Sequence, residues 1–455
     1  MNIIIVGCGN VGYVLSEALS REGHEITLID TDTERLRFVA DTLDIQGVGG
    51  NGISYDVLME AGIDNADLFI AVTNEDEVNM LGCLMAKKIG NCKTIARVRN
   101  PQYYEDIKHI KEELGLSMYV NPEREAAKEM ARLIQIPSAI DVDIFDKSRI
   151  NMIRFKVLEN SMLDGMAICD IRSKVSANML VCIVQRKDSV VIPNGLFVLQ
   201  AGDIISFVTP MNDVYSVFKK TGVKARNIKN VMIAGGGRIS YYLALLLQRA
   251  KIKVKIIEKD RQRCEELSEC LPEAMIICGN ANNQSLLFEE GINNTDAFVS
   301  VTDMDEENIM LSLYVNKISD AKVITKIKKV TFEEIVQDLN LGSIVDPKNI
   351  IAEGIIRYVR ALQNSFGSNV ETLYRLIDNK VEALEFSVNN TYDINKLVGK
   401  PLMNINLKEN LLICSIKRGD KTFIPDGRDT IELGDRVIIV TTNLGLNDIK
   451  DILKD

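Results

Sequence analysis

Asn2-Ile3-Ile4-Ile5-Val6-Gly7-Cys8-Gly9-Asn10-Val11-Gly12 opens the chain with a β-branched run, a glycine-rich turn and an amphipathic stretch continuing to Arg21. Each glycine has its own task in such a turn. Gly7 permits the tight bend out of the strand, Gly9 lacks the Cβ that would block a pyrophosphate, and Gly12 lets the helix approach the sheet. The helix N-terminus then offers unpaired N–H groups and a positive dipole end to phosphate. The next strand reads as Glu25–Asp30, so Asp30 stands 18 residues after Gly12. A carboxylate there accepts hydrogen bonds from the adenosine ribose hydroxyls and repels the 2′-phosphate of NADP. These features predict an NAD(H) site, against a bare glycine turn with a solvated acid.

Outward from this stretch the chain repeats itself. Gly235-Gly236-Gly237-Arg238-Ile239-Ser240 answers the first loop at an offset of 228, and Glu258 answers Asp30 at the same offset. Glu60–Asp67 matches Glu289–Asp296, Ala71–Glu77 matches Ser300–Glu306, and Ile192-Pro193-Asn194-Gly195 matches Ile424-Pro425-Asp426-Gly427. An offset drifting only to 232 over most of the chain means duplication. In the second copy Ser240 replaces the third glycine, Arg238 adds a cation beside any phosphate, and Lys326 replaces Arg97. A second nucleotide site of open ligand identity is expected, with a degenerate structural copy as the alternative.

Each half divides in two. Strand patterns at Asn2–Val6, Glu25–Asp30, Ile45–Val48, Leu68–Ala71, Thr94–Arg97 and Met118–Val120 alternate with helical ones, which implies βαβ units and a doubly wound parallel sheet. Asn121-Pro122 and Asp346-Pro347 then open helices through an Asx cap and a first-turn proline, the first helix ending near Pro137. Short strands at Phe155–Leu158, Leu180–Arg186 and Ile204–Thr209 follow, and Glu385–Val388, Leu411–Arg418 and Arg436–Thr441 repeat them. The fold class is therefore α/β, a tandem duplication of a Rossmann-like doubly wound sheet, each followed by a small α+β domain. The expected domains are 1–121, linking helix 122–147, 148–222, then 226–346, linking helix 347–376 and 377–455. The Pro193-Asn194-Gly195 and Gly202-Asp203 stretches, with their repeats, are expected to be turns only.

Composition narrows the function. The net charge of −10 over 455 residues repels a phosphate backbone, so nucleic acid is not the expected partner. No secretory signal precedes Gly7, and no apolar run approaches the 18 or so residues a membrane span needs. The nine scattered cysteines fit no zinc spacing, even in the denser group Cys264, Cys270 and Cys278, and are expected to be buried reduced thiols. The two histidines, His24 and His109, are expected at the surface, as are Glu75, Asp76 and Glu77 at a helix start. With no nucleophile elbow, HExxH, CxxC or P-loop motif, a sensor is the better reading than an NAD-dependent oxidoreductase with two Rossmann domains; a free-standing redox-sensing regulator with no transporter is a third option. Thr73 and Asn74 follow the fourth strand, where such sheets line their ligand crevice, or serve as plain turn residues. Arg97 ends the fifth, facing either ligand phosphate or an acidic neighbour.

The first loop, Asp30, Gly50-Asn51-Gly52, Ala61-Gly62-Ile63, the run Ala71–Glu77 and Thr94–Asn100 together resemble the RCK (KTN) regulatory domains of potassium channels and transporters. The doubled arrangement is similar to the cytosolic regulatory subunits of bacterial Trk potassium uptake. The chain departs from the family at Asn51 and Asn280, where members often carry an acid, and at Ser240. The resemblance implies a first site lined by Gly7, Gly9, Asn10, Val11, Gly12, Asp30, Thr73, Asn74 and Arg97, and a second by Gly235, Gly237, Arg238, Ile239, Glu258 and Thr302. It also implies NAD(H) and ATP or ADP as ligands and no catalysis. The implied assembly is a homo-oligomeric, tetrameric ring, cytoplasmic and peripheral on the inner face of the cell membrane, gating a potassium-translocating subunit.

Overall fold

The structure is a computed structural model that describes residues 1–136, 139–145, 150–175, 178–187, 189–210, 213–222, 228–328, 339, 341–364, 370–377, 380–388, 397–446 and 448–454. Strands β1 (Asn2–Val6), β2 (Glu25–Asp30), β3 (Gln46–Gly49), β4 (Leu68–Ala71), β5 (Lys93–Arg97) and β6 (Met118–Val120) form one sheet in the order β3-β2-β1-β4-β5-β6. All its pairings are parallel. Helices α1 (Asn10–Arg21), α2 (Thr33–Leu43), α3 (Tyr55–Glu60), α4 (Asp76–Ile89) and α5 (Pro101–Ile110) connect the strands. The central strands β1 and β4 are buried on both faces, which explains their unbroken apolar runs. The order reverses between β1 and β4, so the glycine loop after β1 and the Thr73 turn after β4 flank the switch point where such sheets bind ligands.

Helix α6 (Pro122–Gln135) follows, Asn121 capping it by accepting the Arg124 N–H at 2.9 Å. Its expected end at Pro137 lies outside the described residues. The chain is already strand at β7 (Asp141–Phe145), upstream of residue 148, because β7 pairs antiparallel with β8 (Ile150–Lys156) and is the sheet's edge strand. With β9 (Leu180–Arg186), β10 (Ser189–Val191) and β11 (Ile204–Pro210) they form the sheet β10-β9-β11-β8-β7. Phe155, Phe207 and Phe218 meet edge-on in its core at 5.5–6.0 Å between centroids.

The second copy repeats the plan. Its parallel strands are β12 (Asn230–Ala234), β13 (Lys253–Glu258), β14 (Met275–Cys278), β15 (Ala297–Ser300), β16 (Lys322–Lys326) and β17 (Ser343–Val345), in the order β14-β13-β12-β15-β16-β17. Among its helices, α7 (Arg238–Arg249), α8 (Arg261–Cys270) and α9 (Asp305–Ile318) concern the site, and α10 (Pro347–Asn364) is the second linking helix. β18 (Val370–Leu376), β19 (Val381–Ser387), β20 (Leu411–Arg418), β21 (Lys421–Phe423) and β22 (Arg436–Thr441) complete it, so strand here too begins inside the span expected to be linker.

The compact units do not follow the sequence halves. One unit holds residues 1–131 with 230–356, the other 132–229 with 357–455, so each parallel sheet sits with its own repeat and each antiparallel sheet with its own. In the second unit Met152, Cys182 and Val208 share one core with Val381, Cys414 and Val440. Among the described residues no helix is long and apolar enough to cross a membrane.

Three surface expectations fail. His24 is buried, because the short Gly23 turn points position 24 inward; Ile252 fills the repeated position. Asp76 is buried as well and accepts the Arg99 and Asn100 backbone N–H groups at 2.7–3.0 Å, which pins the chain leaving β5 to the start of α4. Cys169, Cys270 and Cys278 are exposed, whereas the other six thiols are buried.

The Gly202-Asp203 and Gly434-Asp435 stretches are more than turns. Asp203 is buried and takes a two-pronged bond from Arg186 at 2.7 Å on each oxygen; Asp435 receives Arg418 in the same way at 2.8–2.9 Å. Burial alone would raise the Asp203 carboxyl, but the Arg186 fork and the Gln200 backbone N–H together outweigh it and hold the group below the usual carboxylate value. A depressed carboxyl contributes stability that is present above its unfolded pKa and lost as pH falls through the folded one. Asp203→Asn should therefore cost ~1–2 kcal/mol near neutrality, the range for a charge-assisted bond reduced for the partly exposed arginine. Hydrogen exchange in β8, β9 and β11 measures this; the cost should hold down to about pH 4 and shrink only as pH falls further, through the depressed folded value, and a pH-independent cost would contradict it.

Candidate functional site

In the first module the loop, the acid and the Thr73 turn converge. Gly7 has a φ of +102°, donates to the Ile29 carbonyl at 2.8 Å, and would place a Cβ 3.0 Å from the Thr73 nitrogen. Glycine is therefore required there. Gly12 is also required, since its Cβ would fall 1.8 Å from the Gly7 carbonyl oxygen. Gly9 differs: nothing in the protein lies within 4 Å of its Cβ position. No protein atom demands glycine at 9, so the open space beside it is what the missing Cβ preserves.

Asp30 accepts the Cys8 N–H at 2.6 Å and the Asp32 N–H at 2.9 Å, one on each oxygen. A carboxylate has about four acceptor positions, so two stay available for ribose hydroxyls. Together with Gly7, Gly9, Thr73 and Asn74, Asp30 borders a cleft of about 340 Å³. Asn10 begins α1 at the surface, while Val11 and Gly12 are buried behind the loop. Arg97 has Glu123 and Asp76 as acidic electrostatic neighbours. It is buried behind the turn, donating to the Thr73 carbonyl at 2.5 Å and to Asn74 Oδ1 at 3.0 Å, and burial, then Arg99, pull its guanidinium down to about 10.

Two contributors escaped the sequence reading. Asn79, fully buried on α4, accepts the Thr73 N–H at 2.8 Å and donates to the Thr73 and Arg97 carbonyls, so it holds the turn in place. Its signal was available: Asn308 repeats it at an offset of 229, a polar residue kept on an apolar helix face. Arg35 lines the cleft from α2 near Asp30, and the same signal was available, since Arg263 repeats it at an offset of 228.

The second module keeps the geometry with other side chains. Gly235 has a φ of +101° against Thr302, and nothing lies within 4 Å of a Cβ on Gly237. Glu258 reproduces the Asp30 clasp, accepting the Gly236 N–H at 2.6 Å and the Asp260 N–H at 2.8 Å. Ser240 is accommodated because its hydroxyl donates to the Gly235 carbonyl at 2.5 Å. Arg238 is exposed at the start of α7 and acts electrostatically on Arg97 of the first module, while Ile239 is buried behind the loop. The cleft here is about 110 Å³, narrowed by Lys259, Met304 and Glu307 where the first module has Thr31, Glu75 and Val78. Among the described residues no cluster of three ligating side chains could hold a metal ion.

Lys326 takes the place of Arg97, buried and donating to the Thr302 carbonyl. Burial, then Lys328, pull its ammonium down to about 8. Between that value and its ordinary one near 10.5 the folded chain binds fewer protons than the unfolded chain, so this group makes stability rise with pH. The stability of Lys326→Met relative to the parent should accordingly be greatest below pH 8 and should shrink as pH rises to about 10.5. Paired thermal melts across that range test this, and a flat difference would show that the ammonium is not desolvated.

Comparison with known proteins follows the same division. The TrkA-N domain family matches residues 3–122 and 231–347, and the TrkA-C domain family matches 152–222 and 393–454. The chain belongs to the TrkA family. It is 34% identical over its full length, and over all of the relative, to an Archaeoglobus fulgidus protein named Trk system potassium uptake protein TrkA homolog. A Vibrio alginolyticus Trk system potassium uptake protein TrkA is 31% identical over 97% of this chain and 96% of its own. Among solved structures, the GsuK channel bound to NAD superposes with a TM-score of 0.62 over 97% of this chain and 77% of its own, at 17% identity, which establishes a shared RCK fold. TrkA-N and TrkA-C thus correspond to the parallel and antiparallel sheets, each present twice.

Proposed function

We propose that this chain is a cytosolic nucleotide-sensing regulatory subunit that binds NAD(H) at its first TrkA-N site and controls a potassium-translocating membrane protein. The observation that carries the reading is the pair Gly9 and Gly237. Both sit where a Cβ would meet no protein atom, each beside a loop clasped by an acid, Asp30 or Glu258. Such a glycine keeps room for something outside the protein. The names of the full-length relatives supply the potassium-uptake context, and the NAD in the GsuK structure supplies a precedent for the ligand.

A ligand shifts a conformational equilibrium only by its differential affinity, so regulation requires a partner that distinguishes two arrangements of this chain. That partner is a Trk-type membrane subunit, and the assembly a symmetric homo-oligomer, a tetrameric ring, on the inner membrane face. The first cleft reaches the lower end of the volumes that small ligands occupy, roughly 300 Å³, whereas the second falls below it. The second site therefore takes a smaller share of its ligand, which fits ATP or ADP better than a dinucleotide.

Calorimetry on the full chain with NAD, NADH, ATP and ADP tests binding, and potassium flux through the membrane subunit reconstituted with and without this chain tests control. Two classes of site with different rankings, and nucleotide-dependent flux, are expected. A stable monomer that leaves flux unchanged with every nucleotide, or NADH formed from NAD with hydroxy acids or consumed with aldehydes, would overturn the reading.

A further inference from the structure

Cys264 and Cys278 meet at the outer edge of the second module. Cys264 lies in the first turns of α8, buried, and its thiol donates to the Glu258 carbonyl at 3.3 Å. That carbonyl also accepts the Gly279 N–H at 2.8 Å, and Glu258 is the register partner of Cys278 on β14. Ile277 packs into the core on the other side of the sheet, so alternation turns Cys278 toward α8. The Cys278 thiol lies close enough to act electrostatically on Cys264, and Cys278 is also open to solvent. The fold does not require sulfur at these places, because the first module has Leu36 and Gly49 at the repeated positions.

We propose that Cys264 and Cys278 form a redox-active dithiol, which a small-molecule disulfide converts to an intramolecular disulfide linking α8 to β14. Attack begins at the exposed sulfur. The Cys278 thiolate displaces one thiolate from the small disulfide, giving a mixed disulfide. Cys264 then releases its proton to solvent and attacks the Cys278 sulfur, expelling the second small thiol. One sulfur–sulfur bond breaks and one forms; the protein loses two hydrogens and two electrons, and the small disulfide is reduced to two thiols. Burial, then Cys278, raise the Cys264 thiol to about 11, so the second step is the slow one and accelerates with pH. The remaining thiols lack this combination. Cys169 and Cys270 are exposed, and the Cys182–Cys414 pair, though in contact, is buried on both sides.

The full chain is incubated with oxidised glutathione, alkylated and cut with a glutamate-specific protease, which separates the three cysteines by cleaving after Glu269 and Glu273. The expected product is a Cys264–Cys278 linked peptide lacking two hydrogens and cleaved by dithiothreitol. Cys264→Ser should stop at one glutathione on Cys278, Cys278→Ser should leave Cys264 unmodified, and Cys270→Ser should still form the link. A link through Cys270, or parent protein that accumulates glutathione on Cys278 without ever closing the bond, would overturn the proposal.

Discussion

Replacing Gly12 with alanine should loosen the first TrkA-N module and abolish its nucleotide binding, while alanine at Ser240 should be tolerated. A Cβ on Gly12 would fall 1.8 Å from the Gly7 carbonyl oxygen, a backbone atom. Gly7 cannot retreat, being bonded to Ile29 and pressed against the Thr73 turn, which Asn79 in turn anchors. Overpacking of this kind costs ~3 kcal/mol, and alanine recovers only about 1 kcal/mol in helix propensity. The net loss of ~2 kcal/mol should appear as reduced hydrogen-exchange protection in β1 and α1. Ser240 already carries a Cβ, so Ser240→Ala removes one hydrogen bond, ~1 kcal/mol. Equal effects at the two positions would show that the loops are equally tolerant, contrary to this geometry.

The second large effect is expected at Asp30. Asp30→Ala removes the acceptor of the Cys8 and Asp32 N–H groups as well as the proposed ribose contact, so the empty loop loses its clasp along with its ligand bonds. Bonds to a charged acceptor contribute ~1.5–3 kcal/mol, which predicts a fall in NAD affinity of about ten- to a hundredfold. Preference over NADP should shrink, since Arg35 borders the same cleft and can face a 2′-phosphate once the carboxylate is gone. Titration of the full chain with both dinucleotides measures this. NAD affinity unchanged from the parent would show that Asp30 only holds the loop.

Much of this could be read without coordinates because it is local. The strand patterns at β1, β2, β4 and β6 match the observed strands residue for residue; for β1 and β4 the reason is that a strand buried on both faces must be nearly continuously apolar. The roles of Gly7 and Gly12 follow from sterics within a few residues. The edge strands β7, β10, β18 and β21 were not legible, being short or lacking a distinctive pattern. The surroundings of Arg97 were not legible, because Thr73, Asn74, Asp76 and Glu123, which make them, lie more than 20 positions away.

The sequence by itself determined that there are two Rossmann-like modules, two smaller ones, and a glycine loop with its acid in each half, because periodicity and glycine chemistry act over short spans and the duplication shows each twice. Only the tertiary structure decided that like modules pair with like, that His24 and Asp76 are buried, and that Cys264 reaches Cys278. Those outcomes depend on which apolar faces cover one another and which backbone groups they bring together, and neither is written in the order of the chain.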